Sequence, residues 1–209
     1  MIIPTQVVSY PRSGMTLLAR MLDTYFGDEL QWPMTQLHSD IRYGKVGDGV
    51  NIAKNHDFKN RLEHNSDIPQ FLILYRNPVR SLVSHYYIAT ESTPTNKGFR
   101  IFLEQPLGIR LWQRHINKWV VRHDKCISVQ YEQLVLLPVL TFRRIINYMT
   151  GQDMIDKKKF LLAISIPEVK NTLKNCPFYD ELLFDSIEEL CEKEITNSQC
   201  PSYRDINSV

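Results

Sequence analysis

Ser9-Tyr10-Pro11-Arg12-Ser13-Gly14-Met15-Thr16 joins an apolar strand to an amphipathic helix through a turn suited to holding an oxyanion. Ahead of it, the segment from Ile2 to Val8 is rich in β-branched residues. Behind it, Leu17, Leu18, Met21, Leu22 and Tyr25 recur at helical spacing. A helix that starts after such a loop leaves N–H groups unbonded at its first turn, where they attract anions. Ser13 and Thr16 add hydroxyls, Gly14 an unobstructed backbone approach and Arg12 a positive charge. Strand, loop and helix therefore predict a phosphate- or sulfate-ester site. Against the nucleotide-triphosphatase pattern G-x-x-x-x-G-K-[ST], Gly14 and Thr16 fall in register. Ser9 replaces the first Gly, however, and Met15 replaces the Lys.

The 209 residues, 43% apolar and with a net charge of +2, fit one α/β domain over residues 1–197 followed by a C-terminal tail, 198–209. So small a positive excess gives no reason to expect a nucleic-acid partner. No charged segment followed by a long apolar one precedes the first strand, and no window reaches the roughly eighteen apolar residues of a membrane span. A cytoplasmic chain is the expectation. The four cysteines, Cys126, Cys176, Cys191 and Cys200, show no C-x-x-C spacing, so neither zinc nor redox chemistry is indicated.

Further along, residues 27 to 49 break any period, and a loop of that length in a compact domain is usually functional. Strands are expected from Val50 to Lys54, from Gln70 to Tyr75 and from Cys126 to Gln130, the second as a continuous apolar run of the kind buried on both faces. Asn77-Pro78 starts a helix with an apolar stripe through Val79, Leu82, Val83, Tyr86 and Tyr87. Helices are also predicted over Phe99–Leu103, Ile109–Val121, a stretch ending at Thr150, and Lys157–Glu194. Strands alternating with helices predict a single domain built on a central parallel sheet flanked by helices, P-loop-like, with its ligand at the carboxyl ends of the strands. Polar clusters follow each strand: the Ser9 loop, Lys54-Asn55-His56, Arg76-Asn77-Pro78 and Tyr131-Glu132.

Three of these clusters carry a resemblance. Tyr10-Pro11-Arg12-Ser13-Gly14-Met15-Thr16-Leu17 is similar to the Tyr-Pro-Lys-Ser-Gly-Thr-Thr-Trp loop of sulfotransferases, which binds the 5′-phosphosulfate of the sulfate donor. Arg76 and Ser84, eight positions apart, match the Arg and Ser by which that family holds the donor's 3′-phosphate. A guanidinium at a strand end offers a bidentate fork to a phosphate, and a hydroxyl about two helical turns on can join it. Ala53-Lys54-Asn55-His56 resembles the family's Lys-Thr-His element, in which the His takes the acceptor's proton. A looser match links Trp112, His115, Trp119, Tyr131 and Glu132 to a later stretch, where Tyr131 would lie near the adenine. Trp112, Trp119 and His115 read as packing residues.

The resemblance implies a sulfotransferase moving the sulfuryl group of 3′-phosphoadenosine 5′-phosphosulfate to a hydroxyl or amine of a small-molecule, glycan or lipid acceptor. Adenosine 3′,5′-bisphosphate would be the product and no metal would be required. It implies catalytic roles for His56, Lys54 and Arg12, and donor binding by Arg12, Ser13, Gly14, Met15, Thr16, Leu17, Arg76, Ser84 and Tyr131. The chain departs from the family pattern in having Arg12 for Lys, Leu17 for Trp, and no recognisable Arg-Lys-Gly segment between Cys176 and Ser186. Two other readings stay open: an ATP-using phosphotransferase, for which Glu132 would be the magnesium ligand, and a nucleotide-binding protein without turnover. Trp32, Tyr43 and Phe99 would suit an apolar acceptor, and His38 or Asp40 would be alternative bases.

Overall fold

The computed structural model describes residues 2–30, 46, 51–58, 62, 68, 70–90, 94–120, 126–166 and 189. Four strands, β1 (Thr5–Ser9), β2 (Ile52–Asn55), β3 (Gln70–Tyr75) and β4 (Cys126–Gln130), form a parallel sheet in the order β2-β1-β3-β4. Their register decides where chemistry can gather. Val8 lies opposite Asn55, Ser9 opposite Leu74, and Tyr75 opposite Gln130. All four carboxyl ends therefore reach one rim, as the alternation of strands and helices predicts.

Helix α1 (Met15–Phe26) follows β1 directly, and α2 (Pro78–Ala89) follows β3. Asn77 caps α2, its side-chain oxygen accepting from the Arg80 amide at 3.3 Å, with Pro78 at the first helical position. Then come α3 (Asn96–Glu104), capped by Thr95, and α4 (Ile109–His115). After β4 the chain turns at once into α5 (Tyr131–Leu136), α6 (Pro138–Thr150) and α7 (Lys157–Ile164).

β3 is buried along its whole length, as expected of a central strand covered on both faces. On one side Leu18, Leu22, Leu72, Val129, Phe142, Ile145 and Met149 form a continuous core between α1, α6 and the sheet. On the other, Tyr10, Leu82, Tyr86, Phe99, Phe102 and Trp112 join α2, α3 and α4. At about 25 cal/mol per Å² of apolar surface, two such layers hold the strand ends in place far more firmly than any polar contact on the rim.

Several boundaries differ from expectation. The first ladder starts at Thr5 rather than Ile2, because the partners β2 and β3 begin opposite Thr5. The second strand is displaced to Ile52–Asn55, which brings His56 to the residue just past the ladder. The single helix expected over Ile109–Val121 is α-helical only to His115 and widens into a π-helical segment over Ile116–Val120. Helix α7 ends at Ile164, with Ser165 as its C-cap, and most of the remaining stretch expected to be helical as far as Glu194 lies outside the described residues. Trp32, His38, Asp40, Tyr43, Cys176, Cys191, Cys200 and the 198–209 tail lie outside the described residues. Among those described, no helix is long and apolar enough to cross a membrane.

Candidate functional site

The loop after β1 has an unusual backbone. Arg12 has φ 65° and Gly14 φ 89°, on either side of Ser13, so left-handed residues alternate with an ordinary one. That alternation turns successive N–H groups into one concavity, a nest for an anion. An arginine in this conformation costs about 1–2 kcal/mol. Contacts on both sides of the residue offset it: Arg76 Nη1 donates to the Arg12 carbonyl at 3.4 Å, and Arg12 Nε donates to Ser84 Oγ at 3.1 Å. Gly14 occupies the N-cap position of α1, which has no side-chain cap. No other residue fits there, since a Cβ on Gly14 would stand 2.0 Å from Cδ2 of Tyr131. The Tyr131 ring thus lies directly on the loop.

Arg76 leaves the end of β3 and stacks over the Tyr131 ring, its guanidinium carbon 4.6 Å from the centroid. Glu132 steadies it from behind, with Oε1 3.8 Å from Arg76 Nε while accepting from the Asn77 amide at 3.2 Å. Arg12 and Arg76 sit close enough that burial, and then the Arg76 charge, depress the Arg12 pKa. Two guanidiniums held together in this way repel each other until an anion arrives between them.

His56 follows β2 and turns its ring back onto β1. Its Nδ1 lies 2.9 Å from the Ser9 carbonyl and 3.1 Å from Ser9 Oγ. A carbonyl only accepts, so Nδ1 carries the proton and Nε2 keeps its lone pair, the tautomer a general base needs. Burial is the main influence on its pKa and lowers it; the Ser9 hydrogen bond opposes this, and the Lys54 charge lowers it further. Lys54, half-buried, is itself depressed by burial, with Asp23 acting the other way.

The predicted residues therefore converge. Arg12, Gly14, Arg76, Ser84 and Tyr131 are joined by direct contacts, and His56 reaches the same rim through Ser9. Ser13 is fully buried with its Oγ unbonded, a hydroxyl a ligand oxygen would satisfy. Thr16 is exposed in the first turn of α1, and Met15 is partly buried against the core. The Leu17 side chain is buried in that core, so only its backbone is available to a ligand. Trp112, Trp119 and His115 are buried, as packing residues should be. His115 is pushed down to about 3 and His85 to about 4, both chiefly by burial, so both are neutral near pH 7. Cys126 is a free thiol pushed up to about 12 by burial, which makes it chemically inert. No group of three or more metal-ligating side chains occurs among the described residues.

Two partners in the site escaped the motif reading. Ser9 holds the histidine, although by pattern it is a degenerate loop glycine. Glu132 holds Arg76, where the pattern offered it as a magnesium ligand. The adjacency of Arg76-Asn77 and Tyr131-Glu132 at neighbouring strand ends is the signal that could have paired them.

Residues 68–153 match the sulfotransferase family model. No curated protein sequence matches the chain. Among solved structures, mouse sulfotransferase SULT7A1, complexed with PAP, superposes with a TM-score of 0.59 at 19% identity, covering 99% of this chain and 87% of that one. The likeness extends through β1 and its loop, beyond the segment the family model matches.

Gly14→Ala should cost at least about 1–2 kcal/mol from the left-handed backbone alone, with the Tyr131 clash added. Denaturant unfolding should show a smaller loss for the same substitution in a Tyr131→Ala background, whereas equal losses would mean that the ring does not press on the loop. A second expectation concerns pH. With its folded pKa lowered, His56 loses its lone pair only below the ordinary imidazole value of about 6.5, so histidine NMR should place its titration midpoint there. A midpoint at or above 6.5 would contradict the environment described.

Proposed function

We propose, for a chain that carries the sulfotransferase family signature over residues 68–153 and the sulfotransferase fold along its length, that it transfers a sulfuryl group from 3′-phosphoadenosine 5′-phosphosulfate to an acceptor hydroxyl or amine. One observation carries the reading: the guanidiniums of Arg12 and Arg76, mutually repelling, flank an anion nest beside an imidazole whose tautomer leaves Nε2 basic. The orphaned Ser13 hydroxyl and the cradle at Gly14 fit a phosphorylated nucleotide.

When bound, the nucleotide supplies the sulfuryl group and retains the bisphosphate. Arg12, the loop N–H groups, Ser13 and Thr16 would hold the 5′ end, while Arg76 with Ser84 would read the 3′-phosphate. Arg12 Nε already donates to Ser84 Oγ, so a single cation is shared between the two ends. Tyr131, held between Arg76 and Gly14, would lie near the base. His56 Nε2 would take the acceptor's proton as the new S–O bond forms, and the Ser9 carbonyl would stabilise the imidazolium through Nδ1–H. Lys54 would place its ammonium by the bridging oxygen, where charge develops. Position and fixed charge supply the catalysis; a proton leaves the acceptor and is held at Nε2.

The phosphotransferase reading is not favoured. It needs a lysine at position 15 and a carboxylate able to hold magnesium, whereas Met15 occupies the former and Glu132 lies beside the Arg76 guanidinium, whose charge repels a second cation. A soluble acceptor cleft and a cytoplasmic setting belong to the same proposal and rest on the family alone.

Donor recognition gives the direct test. Arg76→Ala should weaken adenosine 3′,5′-bisphosphate by about 1.5–3 kcal/mol and leave AMP binding nearly unchanged. Calorimetry in which the unsubstituted protein binds both nucleotides equally would overturn the assignment.

A further inference from the structure

The base is held by more than Ser9. Asn55, His56 and Asp57 form a tight turn in which the Asp57 amide donates to Asn55 Oδ1 at 2.6 Å, an Asx turn with His56 at its centre. Asp57 closes it at φ 48°, a left-handed conformation that Asp tolerates better than most residues. Its side chain is then buried, only 8% of the residue being exposed. Three donors meet that carboxylate: Lys118 Nζ at 2.6 Å and Trp119 Nε1 at 3.1 Å, both on Oδ2, and the Leu62 amide at 2.9 Å on Oδ1.

Lys118 and Trp119 belong to the π-helical segment Ile116–Val120 that extends α4. Successive residues on a helix diverge, and these two reach one oxygen because the Lys118 stem folds over its neighbour, bringing Nζ to 4.8 Å from the Trp119 ring centroid. Trp119 itself is 1% exposed and packs on Phe71 of β3, so its Nε1 is a fixed point. A widened turn of this kind is uncommon and is often found at functional sites.

We propose that Asp57 is a positioning residue for the His56 base, locking the turn that carries the imidazole to Lys118 and Trp119. The lock acts on the backbone on the far side of His56 from the Ser9 contact, so the ring is constrained at both ends. Without it, the turn loses the tie that holds its left-handed residue to the neighbouring helix, and the Nδ1–H bond to Ser9 is less firmly imposed. The kinetic consequence rests on the sulfotransferase reading; the conformational one does not.

The test uses the full chain with Asp57→Ala and Lys118→Met, the second keeping the stem over Trp119 while removing the charge. Histidine ¹⁵N spectra should show His56 as the Nδ1–H tautomer in the unsubstituted protein and as a mixture in both variants, with His85 unaltered. Turnover should fall about 10–100-fold in both, the size expected of a misplaced catalytic group, with adenosine 3′,5′-bisphosphate affinity within about two-fold of the original. Asp57→Asn, whose one amide oxygen can accept from Leu62 or from Trp119 but not from both, should lie between. An unchanged His56 tautomer in a folded variant overturns the proposal. So does a loss of bisphosphate affinity matching the loss of turnover, which would mark a general structural role. Should Asp57→Ala not fold, Lys118→Met decides alone. Should the chain transfer no sulfuryl group, the tautomer still decides the conformational claim, and only the sulfotransferase reading fails.

Discussion

Ser9 is the last residue of β1, and its carbonyl accepts from His56 Nδ1 where a longer ladder would have consumed it. β2 ends at Asn55, opposite Val8, so no backbone amide of that strand stands across from Ser9 to claim the oxygen. A buried carbonyl without a partner is costly, and the imidazole fills the place of the missing ladder bond. That substitution ties the anion loop to the base and fixes which ring nitrogen carries the proton. A longer β2 would bond Ser9 within the sheet and release the histidine.

The rest of the rim is arranged by similar economies. Arg12 and Gly14 adopt left-handed conformations that turn the amides inward, and Arg76 secures the first of them through its carbonyl. Arg76 is in turn held by Glu132 and by the face of Tyr131, which itself rests on Gly14. Each cation is thereby fixed before any ligand arrives. The ordering cost of long side chains, up to about 2 kcal/mol each, is met in folding rather than in binding. The same cations repel each other, and this favours an anionic occupant over an empty site.

Much of this was legible in the residues. β3 and β4 begin and end where expected, because a continuous apolar run and a β-branched one are bounded by polar or charged residues. The convergence of four polar clusters follows from parallel topology alone and is present in the register. What was not legible depends on distant partners. Asp57 reads as an ordinary loop acid until Lys118, sixty-one positions away, meets it. The break of the predicted Ile109–Val121 helix at His115 has no Pro or Gly to announce it, since it arises where Lys118 and Trp119 converge on that acid. Local pattern carries strand identity well and carries long-range pairing poorly.

The central claim is that one rim divides its labour, with the nest and the arginines holding the nucleotide and His56 moving the proton. It is tested most directly by His56→Ala, assayed for transfer from labelled 3′-phosphoadenosine 5′-phosphosulfate to an acceptor library and titrated with adenosine 3′,5′-bisphosphate by calorimetry. The account predicts turnover lowered by about 10²-fold or more, with bisphosphate affinity nearly intact. Near-normal turnover, or loss of bisphosphate binding in its place, would contradict it.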